Sequence, residues 1–232
     1  MAWVEHVHAD FESLAATLAG QLQSACETGI AARGSAVLAL AGGRTPLPIY
    51  RRLATGVVSW SQVSLLPTDE RCVPHDHPAC NLREIVAAFA DADGVQAVGL
   101  TPRDGCRSAI YACEAAGRFP QPFDAVVLGM GMDAHTASLF PGPALPAVAL
   151  DLDSNVDACR VDPLPLPPEA PYARITLTAA RLLRTRALYL VITGAAKRDV
   201  LREAMASRDA RRHPVGAILH APAALVHIHW SP

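Results

Sequence analysis

The chain has 232 residues, of which 51% are apolar and 18% are charged, with a formal net charge of -2. This composition excludes a disordered chain, and the near-neutral charge gives no electrostatic reason to expect nucleic acid or an anionic membrane as a partner. The longest apolar runs, such as residues 36–41, are far too short to span a bilayer. No C-x-x-C pair occurs among the six cysteines. We therefore expect thiols and a cytoplasmic protein with one domain over residues 1–232.

Apolar periodicity alternates between helix and strand along the chain. Phe11, Leu14 and Leu18 recur at the spacing of a helix, and Thr45 with Pro46 predicts a helix N-cap and first turn. The predicted helices cover residues 10–32, 46–53, 81–89 and 195–206. Short apolar runs that predict strands cover residues 35–41, 63–67, 123–129, 187–193 and 223–230.

This alternation favours an α/β fold, with a mostly parallel sheet sandwiched between helices. Residues 141–170 are rich in proline and predict a long connection, with short antiparallel strands near residues 158–161 and 174–178. Ligands of such sheets bind beyond the carboxyl ends of the strands. The loops that follow the strands are therefore where a site is expected.

A glycine-rich turn follows the first predicted strand. Gly42 and Gly43 let the backbone approach an anion, while Arg44 and Thr45 add a cation and a hydroxyl beside the next helix. The alternative is a tight strand-to-helix turn that binds nothing.

Acidic and basic residues follow the second predicted strand. Asp69, Glu70 and Arg71 would form a polar site of mixed charge, in which the arginine could clamp a carboxylate or an oxyanion. The alternative is a solvated loop whose ions pair with one another.

The third predicted strand ends in a glycine-rich turn that contains Asp133 and His135. Histidine titrates near neutrality and a carboxylate can fix its tautomer, so His135 is the best candidate base in the chain. The alternative is that Asp133 caps the N-terminus of a helix.

Lys197 lies in the first turn of the helix that follows the fourth strand. A cation is disfavoured at a helix N-terminus unless an anion lies nearby, and Arg174 could reach the same place.

Three H-x-H pairs invite a metal interpretation, namely His6/His8, His75/His77 and His227/His229. No carboxylate or cysteine is spaced to complete a coordination shell for any of them. The sequence therefore predicts no metal and no cofactor.

Five blocks occur in the order seen in 6-phosphogluconolactonases, and the chain resembles that family over residues 35–230. The blocks are residues 42–46, 69–71, 129–141, 174–178 and 194–197. The family belongs with glucosamine-6-phosphate deaminases and ribose-5-phosphate isomerase, so the resemblance implies a Rossmann-like sheet.

The resemblance also implies hydrolysis of 6-phospho-D-glucono-1,5-lactone in the oxidative pentose phosphate pathway. His135 would activate water, Asp133 would orient it, and Arg71 would stabilise charge on the lactone oxygen. Asp69 and Glu70 would shape the sugar pocket, and Asn81, which matches an asparagine of the family, would bind the substrate. The residues expected to hold the phosphate or the sugar near it are Gly42, Gly43, Arg44, Thr45, Arg174 and Lys197.

The chain departs from the family at Ala41 and Cys80, where serine is usual, and at Met132 and Ala134, where glutamate and glycine are usual. If residue 134 has a positive φ, alanine is strained there by about 1 kcal/mol.

These departures leave open the alternative that the protein binds a sugar phosphate but does not catalyse a reaction. A glucosamine-6-phosphate deaminase is a further alternative, which Arg71 disfavours because those relatives usually carry tyrosine there. The expected partner is one small sugar-phosphate lactone, bound by a monomer or weak homo-oligomer.

Overall fold

The computed structural model describes residues 2–105, 108–165, 171–222 and 224–232, in which strands and helices alternate. Its strands are β1 (Ala2–Val7), β2 (Ala36–Leu40), β3 (Val63–Pro67), β4 (Asp69–Arg71), β5 (Gln96–Ala97), β6 (Ala125–Gly129), β7 (Ala158–Val161), β8 (Arg174–Leu177), β9 (Leu188–Thr193) and β10 (Leu225–Ser231). Its helices are α1 (Phe11–Arg33), α2 (Leu47–Ala54), α3 (Asn81–Ala88), α4 (Ile110–Gly117), α5 (Ala147–Leu150), α6 (Ala179–Leu183), α7 (Ala195–Ala206) and α8 (Val215–Leu219).

Seven strands form one parallel sheet in the order β1-β10-β9-β6-β2-β3-β5. The remaining three form a small antiparallel sheet in the order β4-β8-β7. The prediction of a mostly parallel α/β sheet between helices is confirmed, as are the antiparallel strands β7 and β8.

Helices cover both faces of the large sheet because its central strands are apolar on both faces. Leu38 and Leu40 of β2 pack with α1, α2 and α3, whereas Ala39 packs into the cluster that includes α4, α6, α7 and α8. Asp10 caps α1 by accepting the Ser13 N–H at 2.7 Å. Within the described ranges, every helix is too short or too polar to cross a bilayer.

Three details differ from the prediction. Thr45 is not the N-cap of α2, because residues 44–46 form a turn and the helix begins one residue after Pro46, with no side-chain cap. Residues 69–71, predicted as a loop, form strand β4. Strands β1 and β5 and helices α4, α5, α6 and α8 were not predicted. Ala223, the expected start of β10, and residues 166–170 of the proline-rich connection lie outside the described part of the chain.

The strand order reverses at β2, and this reversal positions the site. From β2 the sheet runs through β3 and β5 in one direction and through β6 and β9 in the other. The loops after the adjacent strands β2 and β6 therefore leave the sheet edge on opposite sides, and sheets of this type bind ligands in the crevice between two such loops. Those two loops are the glycine turn and the turn that contains His135.

Candidate active site

The turn that contains His135 is held by its own backbone. Gly131 N–H donates to the His135 carbonyl at 2.9 Å, and Thr136 Oγ1 donates to the Gly129 carbonyl at 2.8 Å. Ala134 has φ 61° and is fully buried, so the strain expected from a left-handed alanine is present. No helix follows Asp133 in residues 134–146, which removes the helix-cap alternative.

Asp133 orients the imidazole of His135. Nδ1 of His135 lies 2.5 Å from Asp133 Oδ1, and the Phe140 ring packs against the imidazole with 4.6 Å between ring centroids. Partial burial raises the pKa of Asp133, but the hydrogen bonds and charge of His135 outweigh burial and place that pKa below its usual value. An ionised Asp133 accepts the Nδ1 proton, which leaves Nε2 as the basic nitrogen.

Two arginines face each other in the small sheet. Arg71 of β4 pairs with Arg174 of β8, and Asp69 pairs with Thr176, so all four side chains lie on one face. Arg174 is 3% exposed, and burial lowers its pKa against the opposing charge of Asp69. Like charges directly opposite one another destabilise a sheet unless an anion lies between them. This face is therefore suited to bind an anionic group.

Ser138 joins this face to the turn that contains His135. Its Oγ donates to Asp69 Oδ2 at 2.5 Å, and its N–H donates to Thr176 Oγ1 at 3.3 Å. Ser138 is buried. The sequence prediction did not select this residue, although it lies in the block of residues 129–141, because a buried serine has no distinctive pattern. One hydroxyl thus joins the loop that follows β6 to Asp69 of β4.

Glu70 points away from the site toward the start of α3. Its carboxylate accepts the N–H groups of Arg71, Asn81 and Leu82 at 2.7–2.8 Å. Burial raises the pKa of Glu70, although these three donors lower it. Glu70 is 0% exposed, so its expected part in shaping the sugar pocket stays a prediction that would act through the position of Asn81 and α3.

The glycine turn packs against α3. A Cβ at Gly42 would lie 2.1 Å from Asn81 Oδ1, and Gly43 has φ 96°, so both positions favour glycine. The Arg44 side chain is exposed and the Thr45 side chain is half-buried. These residues border the crevice.

Lys197 lies in the first turn of α7, directly after β9, which neighbours β6. Burial lowers the pKa of its ammonium group. Among the described residues, no hydrogen bond or ion pair joins Lys197, Arg44 or Thr45 to the cluster around Asp69. The structure therefore brings Asp69, Arg71, Asn81 and Arg174 into direct contact or register and places the other cations at the same sheet edge.

Comparison with known proteins identifies the family. The family model described as glucosamine-6-phosphate isomerases/6-phosphogluconolactonase matches residues 9–230. The chain belongs to this family. Within it, a 6-phosphogluconolactonase of Pseudomonas putida is 36% identical over 98% of this chain and 92% of its own length. A 6-phosphogluconolactonase of Rhizobium meliloti is 34% identical over 98% of both chains. The crystal structure of a 6-phosphogluconolactonase from Shewanella baltica superposes with a TM-score of 0.91 at 33% identity, over 99% of this chain and 97% of that one.

The glucosamine-6-phosphate isomerase/6-phosphogluconolactonase family has a Rossmann-like sheet, so that part of the fold prediction is confirmed.

The three H-x-H pairs take part in local hydrogen bonds. His6 Nε2 and His8 Nε2 each lie 3.1 Å from Nδ1 of a β10 histidine, His227 and His229 respectively. Across the part of the chain that the structure describes, no group of three or more His, Cys, Asp or Glu is arranged to hold a metal ion.

Proposed function

We propose that this protein hydrolyses 6-phospho-D-glucono-1,5-lactone to 6-phospho-D-gluconate, the reaction of the oxidative pentose phosphate pathway. The observation that carries the proposal is the 2.5 Å contact of His135 with Asp133 in the loop that follows β6. Relatives named 6-phosphogluconolactonases, at least 34% identical over nearly the whole chain, support the choice of substrate.

His135 is the proposed general base. With Nδ1–H donated to Asp133, Nε2 accepts a proton from water as the water oxygen bonds to the lactone carbonyl carbon. The carbonyl oxygen becomes an oxyanion. When it re-forms the double bond, the bond from carbon to the ring oxygen breaks, and His135 returns the proton to that oxygen. A lactone is a reactive ester, so this step requires no covalent nucleophile.

Arg71 is the proposed stabiliser of the oxyanion. A guanidinium provides a fixed positive charge and several N–H donors, and such preorganised donors are worth several kcal/mol in a dry site. Asp69 accepts a hydrogen bond from Ser138, lies on the same face as Arg71 and can accept a further hydrogen bond from a sugar hydroxyl.

The phosphate is proposed to bind to a group of cations and hydrogen-bond donors at the sheet edge. These are Lys197, Arg174, Arg44, Thr45 and the N–H groups of Gly42 and Gly43. A dianionic phosphate would offset the loss of hydration that lowers the pKa of Lys197 and of Arg174. Because the phosphate lies at the far end of the sugar from the lactone carbonyl, anchoring it orients the reacting carbon toward His135.

We place the reaction in the cytoplasm, since the five described cysteines carry thiols.

The test is to generate the lactone from glucose 6-phosphate and to follow its loss with and without the protein. The spontaneous rate is the baseline. His135→Ala is expected to lower kcat by about 10²–10⁴-fold. His227→Ala, which removes a half-buried imidazole from β10, is the matched control and should retain full activity.

If His135→Ala loses activity and His227→Ala does not, the result supports both lactone hydrolysis and the assignment of His135 as the general base. Activity that persists in His135→Ala leaves the reaction in place and moves the base elsewhere, first to Asp69. A wild-type protein that does not accelerate hydrolysis but binds 6-phosphogluconate would contradict the proposal and favour a binding protein.

A further inference from the structure

Asn81 is the point where three segments of the site meet. It is 2% exposed, and its Nδ2 donates to the Asp69 carbonyl at 2.7 Å. Its Oδ1 accepts a hydrogen bond from Arg71 Nη1. The same oxygen occupies the space that a side chain at Gly42 would need. One amide of α3 thus contacts the glycine turn and two residues of strand β4.

The backbone of Asn81 is fixed independently of any substrate. Asn81 is the first residue of α3, and its N–H donates to Glu70 Oε1 at 2.7 Å. The next N–H, from Leu82, donates to Glu70 Oε2 at 2.8 Å. A buried carboxylate at a helix N-terminus satisfies donors that have no partner within the helix and interacts favourably with the helix dipole. Glu70 therefore fixes the place from which the Asn81 side chain extends.

The Arg71 side chain is held in place by contacts that oppose electrostatic repulsion from a neighbouring arginine. Its cross-strand neighbour is Arg174, a like charge that repels it across the small sheet. Two acceptors hold its Nη1, the Asn81 amide oxygen and the Ala79 carbonyl, the latter at 3.1 Å. Without the Asn81 amide, the half-exposed Arg71 side chain would have fewer contacts that oppose this repulsion and hydration of the guanidinium by solvent.

We propose that Asn81 is a positioning residue for the reaction: it holds the Arg71 guanidinium in place and acts on the lactone only through Arg71. This inference rests on the proposed lactone hydrolysis. It replaces the sequence-based expectation that Asn81 binds the substrate, because Asn81 is 2% exposed and both ends of its amide are engaged by residues 69 and 71.

The first arm of the test is a double-mutant cycle. Asn81→Ala is expected to lower kcat/KM by about 10²-fold, mainly through kcat, since a misplaced catalytic group costs about that much. In an Arg71→Ala background the same substitution should change kcat/KM by less than about 3-fold, because the group through which Asn81 acts is already gone. Equal losses in the two backgrounds would overturn the proposal.

Two variants control for folding. Arg83→Ala, an exposed position in the first turn of α3, should leave the activity unchanged. If Asn81→Ala does not fold, Asn81→Ser takes its place in every arm, because a serine hydroxyl fills part of the space but is too short to reach Arg71.

The second arm does not depend on turnover. Rotation of the Arg71 guanidinium is measured by ¹⁵N NMR of arginine side chains, with the signal assigned by its loss in Arg71→Lys. We expect hindered rotation in the wild type and fast rotation in Asn81→Ala. If the rotation is the same in both proteins, the proposal is wrong. If the wild type does not hydrolyse the lactone, the proposed function fails, and this arm still decides whether Asn81 holds Arg71.

Discussion

Replacing Gly131 by alanine tests whether His135 catalyses from the position that it occupies in the structure. A Cβ at Gly131 would lie 2.2 Å from two atoms of the His135 ring and 2.7 Å from Asp133 Oδ1. The backbone itself accepts alanine, because the φ of Gly131 is outside the left-handed range. The substitution is therefore directed at the imidazole.

The size of the effect follows from the geometry. Ordinary contact begins at 3.4 Å, so the ring must move by about 1.2 Å, the difference between 3.4 and 2.2 Å. A 1 Å misplacement costs about 10²-fold in rate, or about 2.7 kcal/mol of transition-state stabilisation. The side chain of His135 is 33% exposed and can move outward, so the free energy of unfolding should change by less than about 1 kcal/mol.

Gly129→Ala is the matched control, because a Cβ at Gly129 meets no atom within 4 Å and its φ is also outside the left-handed range. The assay is the kcat for lactone hydrolysis, combined with urea denaturation of both variants. We expect a loss of about 10²-fold for Gly131→Ala only. If the two variants are equally active, the position of His135 in the structure is not the one used in catalysis.

Three further predictions concern the same molecule. Asp133→Asn should lower kcat by about 10²–10⁴-fold with little change in KM, since the amide no longer fixes the Nδ1–H tautomer; a loss confined to KM would contradict this. Lys197→Met should raise KM for the phosphorylated lactone but not affect an unphosphorylated lactone, and equal losses on both would exclude a phosphate contact. Acid should destabilise the fold through His229: burial, and then the charges of neighbouring histidines, lower its pKa from 6.5 to about 3, so only the unfolded chain takes up a proton as the pH falls below 6.5. This linkage removes about 2 kcal/mol at pH 5, and His229→Gln, measured by urea denaturation, should flatten the pH dependence.

Much of the fold could be predicted because the central strands are continuous apolar runs that end in glycine or polar residues. Residues 69–71 could not be predicted as a strand, because their charged side chains mimic a loop and β8, their partner, lies about a hundred residues further along the chain. Strand β1 was missed for a similar reason, since histidines interrupt its apolar pattern.

Candidate site residues could be selected from the sequence where the proposed chemistry requires a distinctive residue type, as with His135, Asp133 and Arg71. Supporting residues carry no such signal. Ser138 and Glu70 resemble any serine and any glutamate in the sequence, and their roles appear only when distant segments come into contact. Thr45 fits a cap by type, but the glycine turn continues through Pro46 and the helix starts later.

We expect the edge strand β1 to join the sheet late in folding. Its only partner within the described strands is β10, with Ala2 opposite Leu225. Closing a loop of that length costs about 5 kcal/mol of chain entropy, which is recovered only once both strands and the helices that pack against them are in place. During synthesis β1 emerges from the ribosome more than 200 residues before β10 does, as the register shows. Until then β1 has no strand to pair with, so we expect the stacked histidines that join β1 to β10 to be among the last contacts of the native state to form.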